Sequence, residues 1–165
     1  MADHVYLIGF MASGKSFIGK LLALALNRPF IDTDKEIEIR SGFTVEQIFA
    51  LQGEAAFRKM EKDILLEIST RSESWVVATG GGMPVIDEAM EIMKRSGKVV
   101  FIKRSLRQIL SLLRKDYSRP LAINTGKKEL YFKYKDRLNT YRQAHYVVKN
   151  RNARAVLDKI IQQLE

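Results

Sequence analysis

The sequence of 165 residues contains no cysteine, two histidines and no long hydrophobic run. Without cysteine, the protein can have neither a disulfide framework nor a thiolate metal site. The longest apolar run covers residues 21–26 and is far too short to cross a bilayer. His4 and His145 have no partners at metal-ligand spacing, so we expect both to be structural or exposed. Asp3 and His4 interrupt the beginning of the chain, where a signal peptide would need an apolar stretch. We therefore expect a soluble, cytoplasmic protein without membrane contact.

Acidic residues are scarce relative to basic ones, nineteen against twenty-eight, which leaves a net charge of +9. The excess is concentrated between Lys103 and Arg142, where twelve basic residues accompany three acidic ones. Such a region suits a nucleic acid, an anionic surface or a small anionic molecule, although a general role in solubility is an equal alternative. Tyr131, Tyr134 and Tyr141 in this region could stack on bases, but their helical spacing favours core packing.

The segment Gly9–Ser16 reads GFMASGKS and fits the phosphate-binding pattern G-x-x-x-x-G-K-[ST]. A β-favouring run, residues 5–8, precedes it, and apolar residues at helical spacing follow it up to Leu26. In a strand–loop–helix context, the backbone N–H groups of the loop and of the helix N-terminus bind phosphate. Lys15 would add a charge at the outer phosphates, and the hydroxyl of Ser16 would bind Mg²⁺. The alternative is a glycine-containing turn that merely holds a lysine.

Four further apolar segments alternate with helical patterns along the chain. The predicted strands are 28–32, 75–79, 98–102 and 146–148, and the predicted helices after the first are 35–40, one from 44, 53–69, 86–95, 105–113, 129–142 and 153–164. With 46% hydrophobic residues the chain can form one well-packed domain over residues 1–165. The alternation predicts an α/β fold, a three-layer αβα sandwich around a five-stranded parallel sheet with right-handed crossovers.

Three candidate site segments follow directly after predicted strands: the P-loop, the pair Asp32 and Asp34, and the triplet Gly80–Gly82. Because parallel strands end at the same edge of a sheet, we expect these segments to converge on one composite site. The two carboxylates would leave their strand on the same side. One could hold Mg²⁺ and the other could orient and deprotonate an acceptor hydroxyl. The glycines leave backbone that a ligand can approach.

Arginines complete the candidate chemistry. Arg58 and Glu61 share a helix face, and on the residues alone an ordinary exposed ion pair is the preferred interpretation. The segment of about 114–128 is basic and poor in large apolar residues, so we expect a mobile lid there. Arg119 in this segment is the best candidate to stabilise transition-state charge.

The sequence lacks the features of several P-loop classes. It has no Asn-Lys-x-Asp element, which argues against a GTPase, and no long apolar strand that ends in Asp-Glu, which argues against a motor or a large ATPase. The length is typical of a small metabolite or nucleotide kinase.

Six motifs, taken in order and with their spacing, resemble those of shikimate kinases, and the resemblance covers essentially the whole chain. They are the P-loop Gly9–Ser16, Asp32-x-Asp34, Gly53-Glu54-x-x-Phe57-Arg58, Gly80-Gly81-Gly82, Arg119-Pro120-Leu121 and Arg137-x-x-x-Tyr141. The P-loop alone occurs in a very large superfamily, whereas the six together are highly specific. The resemblance implies a P-loop kinase of the nucleoside-monophosphate-kinase type. It also implies ATP- and Mg²⁺-dependent phosphorylation of the 3-hydroxyl of shikimate, on the route to chorismate and aromatic amino acids.

The resemblance further implies roles for individual residues, with Asp34 as the base, Lys15 and Arg119 acting with it, and Arg58 and Arg137 holding the substrate carboxylate through their guanidinium forks. The implied substrate-binding residues are Asp34, Arg58, Glu61, Gly80, Gly81, Gly82 and Arg137, with Glu61 orienting Arg58. The implied ATP-binding residues are Gly9, Met11, Ala12, Ser13, Gly14, Lys15, Ser16, Phe17, Arg114, Arg119 and Arg154. Ser16 and Asp32 would serve the metal.

The chain departs from the family pattern at two positions. Ala12 stands where the family usually has a second P-loop glycine, and a positive φ there would cost alanine roughly 1 kcal/mol or more. Ala122 stands in the lid where leucine is commoner, which would loosen closure without affecting Arg119.

Two alternatives to a shikimate kinase stay open at this point. Another small kinase of the same fold, such as a gluconate kinase, would differ in its acceptor, and two converging arginines favour a carboxylate over a nucleoside monophosphate. A nucleic-acid-binding protein with a vestigial P-loop would explain the net charge and would bind DNA or RNA in a steeply salt-dependent way. We prefer a monomeric enzyme of small molecules without a nucleic-acid partner.

Overall fold

A parallel sheet of five strands lies at the centre of the computed structural model, which describes residues 2–113 and 126–165. The strands are β1 (His4–Ile8), β2 (Phe30–Asp32), β3 (Val76–Ala78), β4 (Gly97–Lys103) and β5 (Tyr146–Lys149), in the spatial order β2-β3-β1-β4-β5. All neighbouring strands pair in parallel. All five residues of β1, the central strand, are buried, because helices cover both faces of the sheet.

Helices connect the strands in every crossover that the structure describes. They are α1 (Lys15–Leu26), α2 (Thr33–Ser41), α3 (Val45–Ser69), α4 (Ala89–Ser96), α5 (Leu106–Leu113), α6 (Lys127–Tyr141) and α7 (Ala153–Leu164), with a 3₁₀ turn at Met83–Val85. Consecutive residues of β1 point into two separate cores. Tyr6 and Ile8 pack with α3, α4 and α5, whereas Val5 and Leu7 pack with α1 and α7. This arrangement confirms the predicted three-layer α/β fold.

Side-chain caps explain where two of the helices begin. The carboxylate of Asp32 accepts hydrogen bonds from the N–H groups of Asp34 and Lys35 and thereby caps α2. Thr44 and Gln47 form a reciprocal capping box at the start of α3. The two helices predicted from residues 44 and 53 form one element, but Gly53 interrupts it with φ 83° and ψ 171°.

The predicted helix over residues 86–95 was wrong in its first turn. The chain instead forms the 3₁₀ turn with Pro84 near its start, and Ile86 ends this turn in an extended conformation. Glu88 then takes a left-handed conformation before α4 begins at Ala89. Pro84 suits the start of the short turn because the first N–H groups of a helical turn have no partner within it.

The expected lid over residues 114–128 overlaps a helix at its C-terminal end. The helix α6 begins at Lys127, so the last two residues of the expected lid are helical.

Both histidines have structural positions. His4 is fully buried, and its Nδ1 accepts a hydrogen bond from the N–H of Trp75. His145 is exposed, and its Nδ1 accepts one from the N–H of Val99. The guanidinium of Arg71 lies over the Trp75 ring at 4.4 Å from its centroid, and the ring packs against the core. None of the helices within the described residues is long and apolar enough to cross a membrane.

Candidate active site

The P-loop lies between β1 and α1, and left-handed residues shape it. The φ angles are 56° at Ala12 and 96° at Gly14, so alanine takes the positive φ that is unfavourable for a residue with a Cβ. The helix α1 begins at Lys15, directly after the loop, and its first N–H groups are therefore available to an anion. The positive φ angles in the loop and the N–H groups at the start of α1 are features that favour an anion at this place.

The side chain of Lys15 lies against its own loop. Its Nζ donates hydrogen bonds to the carbonyls of Gly9 at 2.7 Å and Phe10 at 2.9 Å. The residue is 9% exposed, so its charge is held close to the loop backbone. Ser13 is buried, Met11 is partly buried and Phe17 is exposed at the first turn of α1.

Asp32 links the P-loop to the second strand. Ser16 Oγ donates to its Oδ2 at 2.5 Å, while its Oδ1 caps α2. A hydroxyl and a carboxylate therefore meet at the start of α1. These are oxygen ligands of the type that Mg²⁺ prefers. The described residues contain no group of three or more His, Cys, Asp or Glu that could hold a metal, so phosphate and water would have to complete its coordination.

Asp34 and Glu61 bring two buried carboxylate oxygens to the same place. Asp34 Oδ1 and Glu61 Oε1 are both buried, and neither has a hydrogen-bond partner among the described residues. A Cβ on Gly80 would overlap both of them, lying 2.5 Å from Glu61 Oε1. Burial, reinforced by the nearby Asp32, raises the pKa of Asp34 to about 6. Burial also raises the pKa of Glu61, against the opposing effect of Arg58.

Two arginines flank the glycine triplet. Arg58 Nη1 donates to Glu61 Oε2 at 2.5 Å, and a Cβ on Gly82 would lie 2.6 Å from its Nη2. A Cβ on Gly81 would lie 3.3 Å from Arg137 Nη1 and 3.6 Å from the backbone nitrogen of Met11. The triplet therefore lies between the two guanidinium groups and next to the P-loop. Because Glu61 is fully buried, its pair with Arg58 is not the exposed ion pair that helix spacing alone suggested.

Two residues that sequence reasoning did not assign to the site fix the triplet from outside. Thr33 Oγ1 accepts a hydrogen bond from the N–H of Gly80 at 2.9 Å. Tyr141, for which helical spacing predicts core packing, also donates its hydroxyl to the carbonyl of Gly81 at 2.5 Å. The helical spacing of Arg137 and Tyr141 places both on one face of α6, and this is the signal that could have identified Tyr141.

Two further residues contact the P-loop and were also missed. Arg104, just after β4, donates from Nη1 to the carbonyl of Ala12 at 3.2 Å. Asn150, just after β5, is buried and donates from Nδ2 to the carbonyl of Ser13 at 2.7 Å. No local pattern identifies these contacts, because the partners are 92 and 137 residues away in the sequence.

Arg154 is the one remaining predicted nucleotide contact that lies among the described residues. Arg154 is exposed in the first turn of α7, and its N–H donates to the side chain of Asn152, which caps the helix. Arg114 and Arg119 lie outside the described residues, and their expected contacts with ATP and the transferred phosphate stay predictions.

A P-loop at the end of a central parallel strand, next to a buried carboxylate and two guanidinium groups, defines a P-loop kinase of small molecules. A sequence model of the shikimate kinase family matches residues 11–165. The chain is 40% identical to the shikimate kinase of Aquifex aeolicus strain VF5 over 146 residues, which are 88% of this chain and 86% of that protein. The chain belongs to the shikimate kinase family.

Solved structures agree with this assignment. The shikimate kinase of Acinetobacter baumannii, solved in complex with shikimate, superimposes with a TM-score of 0.91 at 34% identity and covers 99% of this chain and 93% of that one. A gluconokinase from Sinorhizobium meliloti 1021 superimposes with a TM-score of 0.57 at 15% identity, covering 98% and 95% of the two chains. The second likeness shows the shared fold alone.

Proposed function

We propose that this protein transfers the terminal phosphoryl group of ATP to the 3-hydroxyl of shikimate. The reaction yields shikimate 3-phosphate and ADP. The observation that carries the proposal is the arrangement around the glycine triplet, where two guanidinium groups flank Gly81 and Gly82 and the Asp34 carboxylate adjoins Gly80. A small molecule with one carboxylate and several hydroxyl groups matches this set of partners.

Arg58 and Arg137 hold the carboxylate of the substrate. A guanidinium presents two parallel N–H donors that match a carboxylate, and the pair gives both charge and orientation. Glu61 keeps Arg58 in position through its short hydrogen bond. Gly80, Gly81 and Gly82 allow the substrate ring to approach the backbone, since side chains at these positions would fill the space beside the charged groups.

Asp34 is the base that orients and deprotonates the 3-hydroxyl. A carboxylate with a pKa of about 6 is ionised at neutral pH and accepts a proton more readily than an ordinary aspartate. Its position at the start of α2, two residues after the P-loop contact Asp32, places it at the edge where the strands end. Phosphoryl transfer depends mainly on such positioning and on charge stabilisation.

The P-loop and Lys15 bind the phosphates of ATP, and Ser16 and Asp32 hold Mg²⁺. The ion neutralises phosphate charge when it is bound. Arg119 supplies further positive charge to the transferred group from the segment 114–128, which acts as a lid. Arg114 and Arg154 flank the base of the nucleotide. The single domain 1–165 acts as a cytoplasmic monomer, and its net charge of +9 serves anionic small molecules and not nucleic acid.

Release of ADP tests the proposed acceptor. Purified protein is given ATP and Mg²⁺ with shikimate, gluconate or a nucleoside monophosphate, and ADP is followed by a coupled assay. We expect shikimate-dependent ADP release that falls by about 10²–10⁴-fold in Asp34→Asn, while ADP binding measured by calorimetry persists. ADP release with gluconate or a monophosphate and none with shikimate would show that the proposed substrate is wrong.

A further inference from the structure

Two consecutive carbonyls of the P-loop accept hydrogen bonds from side chains that follow other strands of the sheet. Arg104 Nη1 donates to the carbonyl of Ala12, and Asn150 Nδ2 donates to the carbonyl of Ser13. Both residues directly follow strands that end at the same edge of the sheet as β1. Neither residue has a part in the proposed chemistry, so catalysis alone does not account for their contacts with the loop.

The peptide unit between Ala12 and Ser13 is the strained part of the loop. Ala12 has φ 56°, and a left-handed conformation costs a residue with a Cβ roughly 1–2 kcal/mol. The N–H of Ser13 donates to the carbonyl of Phe10 at 3.2 Å, and the carbonyl of Ala12 accepts from Arg104. This peptide unit is therefore fixed at both ends, which keeps the alanine in a conformation that it does not favour by itself.

Arg104 lies in an unusual electrostatic environment. The side chain is partly buried, and no ion pair with a carboxylate is found for it in the parts of the chain that the structure describes. Burial lowers the pKa of Arg104, and it is the one cause that acts on this pKa. A partly desolvated guanidinium costs free energy unless its N–H groups are paired, and the carbonyl of Ala12 accepts a hydrogen bond from it.

Other contacts tie Arg104 to the same loop. Its carbonyl accepts a hydrogen bond from the hydroxyl of Tyr134 at 3.2 Å, and the Tyr134 ring packs edge-on against Phe10 at 5.4 Å. The backbone of Arg104 is thus held by α6, which leaves its side chain directed at a fixed point of the P-loop. This arrangement suits a residue that sets the geometry of the loop.

We propose that Arg104 is a positioning residue for nucleotide binding, which holds the P-loop in its anion-binding shape by fixing the carbonyl of the left-handed Ala12. The inference rests only on the nucleotide-binding half of the proposed function. It predicts that the importance of Arg104 depends on alanine at position 12. Glycine adopts the same φ without strain, so Ala12→Gly removes most of the need for the hydrogen bond.

A double-mutant cycle tests this dependence. ADP binding is measured by calorimetry for the unmodified protein, Arg104→Met, Ala12→Gly and the double variant. We expect Arg104→Met to weaken ADP binding about tenfold when residue 12 is alanine and less than about threefold when it is glycine. With ATP and shikimate, the KM for ATP should rise while kcat stays within about twofold, and Arg104→Lys should restore part of the affinity.

Matched controls separate this role from a general effect of positive charge and from a loss of folding. Arg107→Met removes an exposed positive charge from the neighbouring turn of α5 and should leave ADP affinity unchanged. Thermal unfolding checks that each variant is folded, and Arg104→Gln replaces Arg104→Met if that variant is not.

Two outcomes would overturn the proposal. An equal loss of ADP affinity with alanine and with glycine at position 12 would overturn it and show direct contact with the nucleotide. No loss with alanine at position 12 would overturn it as well. Because the readout is ADP binding, failure to phosphorylate shikimate would leave the result interpretable.

Discussion

At the scale of single residues, Asp34 and Glu61 are the most unusual groups of the site. Each has a buried carboxylate oxygen for which the described residues supply no hydrogen bond, and both oxygens adjoin Gly80. A buried carboxylate without a partner lowers the stability of a fold. Such groups are commonly found where a reaction needs an unpaired acceptor. The unpaired oxygen of Asp34 therefore lowers the stability of the fold, but it leaves a base that can accept a proton.

We predict that Asp34→Asn makes the protein more stable at pH 8. The pKa of Asp34 is raised from 3.8 to about 6, so the folded state resists ionisation and stability is lost as the pH rises through this interval. Removing the ionisable group should raise the free energy of unfolding by about 1–2 kcal/mol at pH 8. Below about pH 3, where the carboxyl group is largely protonated in both states, the gain should disappear.

Urea denaturation at the two pH values measures this effect, and Asp63→Asn is a suitable control. Asp63 is exposed on α3, and its replacement should change the free energy of unfolding by less than about 0.5 kcal/mol at either pH. A loss of stability in Asp34→Asn at pH 8 would show that the carboxylate is better solvated than its surroundings indicate.

Residue roles divide sharply into those that the sequence could predict and those that it could not. Ser16 and Asp32 were assigned from motifs in which the chemistry is local, whereas Arg58 was assigned only through the resemblance to the family. Arg104 and Asn150 act on carbonyls 92 and 137 positions away, and only the parallel pairing of β1, β4 and β5 brings them there. Contacts of this kind depend on tertiary structure and leave no periodic or spacing signal in the chain.

At the scale of elements, α3 shows how one glycine divides a helix into two parts. The part before Gly53 follows the capping box, and the part after it carries Arg58 and Glu61. The capping signal and the glycine were both visible in the sequence, and they predicted the two segments. The segment from 86 was predicted less well because Pro84 and the left-handed Glu88 impose turns that the apolar pattern does not reveal. The helix α7 has its predicted bounds because a side-chain cap and an apolar face coincide there.

We predict that Gly53→Ala is more destabilising than Gly42→Ala. Neither glycine has an atom within 4 Å of an added Cβ, so backbone conformation alone decides the cost. Gly42 has φ 73° and ψ 7°, a left-handed conformation that alanine tolerates at about 1 kcal/mol. Gly53, with φ 83° and ψ 171°, is in a region that essentially only glycine occupies, and alanine there should cost about 2–3 kcal/mol.

Chemical denaturation of the two variants provides the comparison, since the substitutions are identical and both sites are open. Equal losses would show that the chain at Gly53 relaxes into an ordinary helix. In that case the KM for shikimate should still change in Gly53→Ala alone, because a straightened α3 would move Arg58.

At the scale of the whole molecule, the two ends of the parallel strands differ. The C-terminal ends of the strands carry the candidate site, and the N-terminal ends carry His4 at the start of β1. His4 is buried, and its Nδ1 accepts a hydrogen bond from the N–H of Trp75, so this nitrogen carries no proton. Burial lowers its pKa below 6.5. Protonation would place a charge in the core and abolish that hydrogen bond.

We predict that His4 makes the whole fold sensitive to acid. Because its pKa is lower in the folded state, its contribution to stability is complete above pH 6.5 and is lost as the pH falls below that value, by at most about 1.4 kcal/mol per pH unit. His4→Asn keeps an acceptor for Trp75 and removes the titration. Thermal unfolding between pH 7.5 and 5 should therefore show a smaller loss of Tm for the variant than for the unmodified protein.

His145→Asn is the matched comparison for this experiment. His145 also accepts a backbone N–H, but it is exposed, so its replacement should change the pH dependence much less. The difference between protein and variant is the quantity to compare, because Asp34 and Glu61 shift stability in the opposite direction over the same range. The prediction would be contradicted if Tm fell with pH equally in the unmodified protein and in His4→Asn.

The left-handed Ala12 has a genetic consequence. Alanine codons and glycine codons differ by one base at the second position, so a single point mutation converts Ala12 into the residue that its backbone conformation favours. That mutation would also release Arg104 from the constraint that Ala12 imposes, and position 104 could then accept substitutions that are harmful before it. Under selection for nucleotide affinity, we expect substitutions of Arg104 to appear only after Ala12 has changed to glycine.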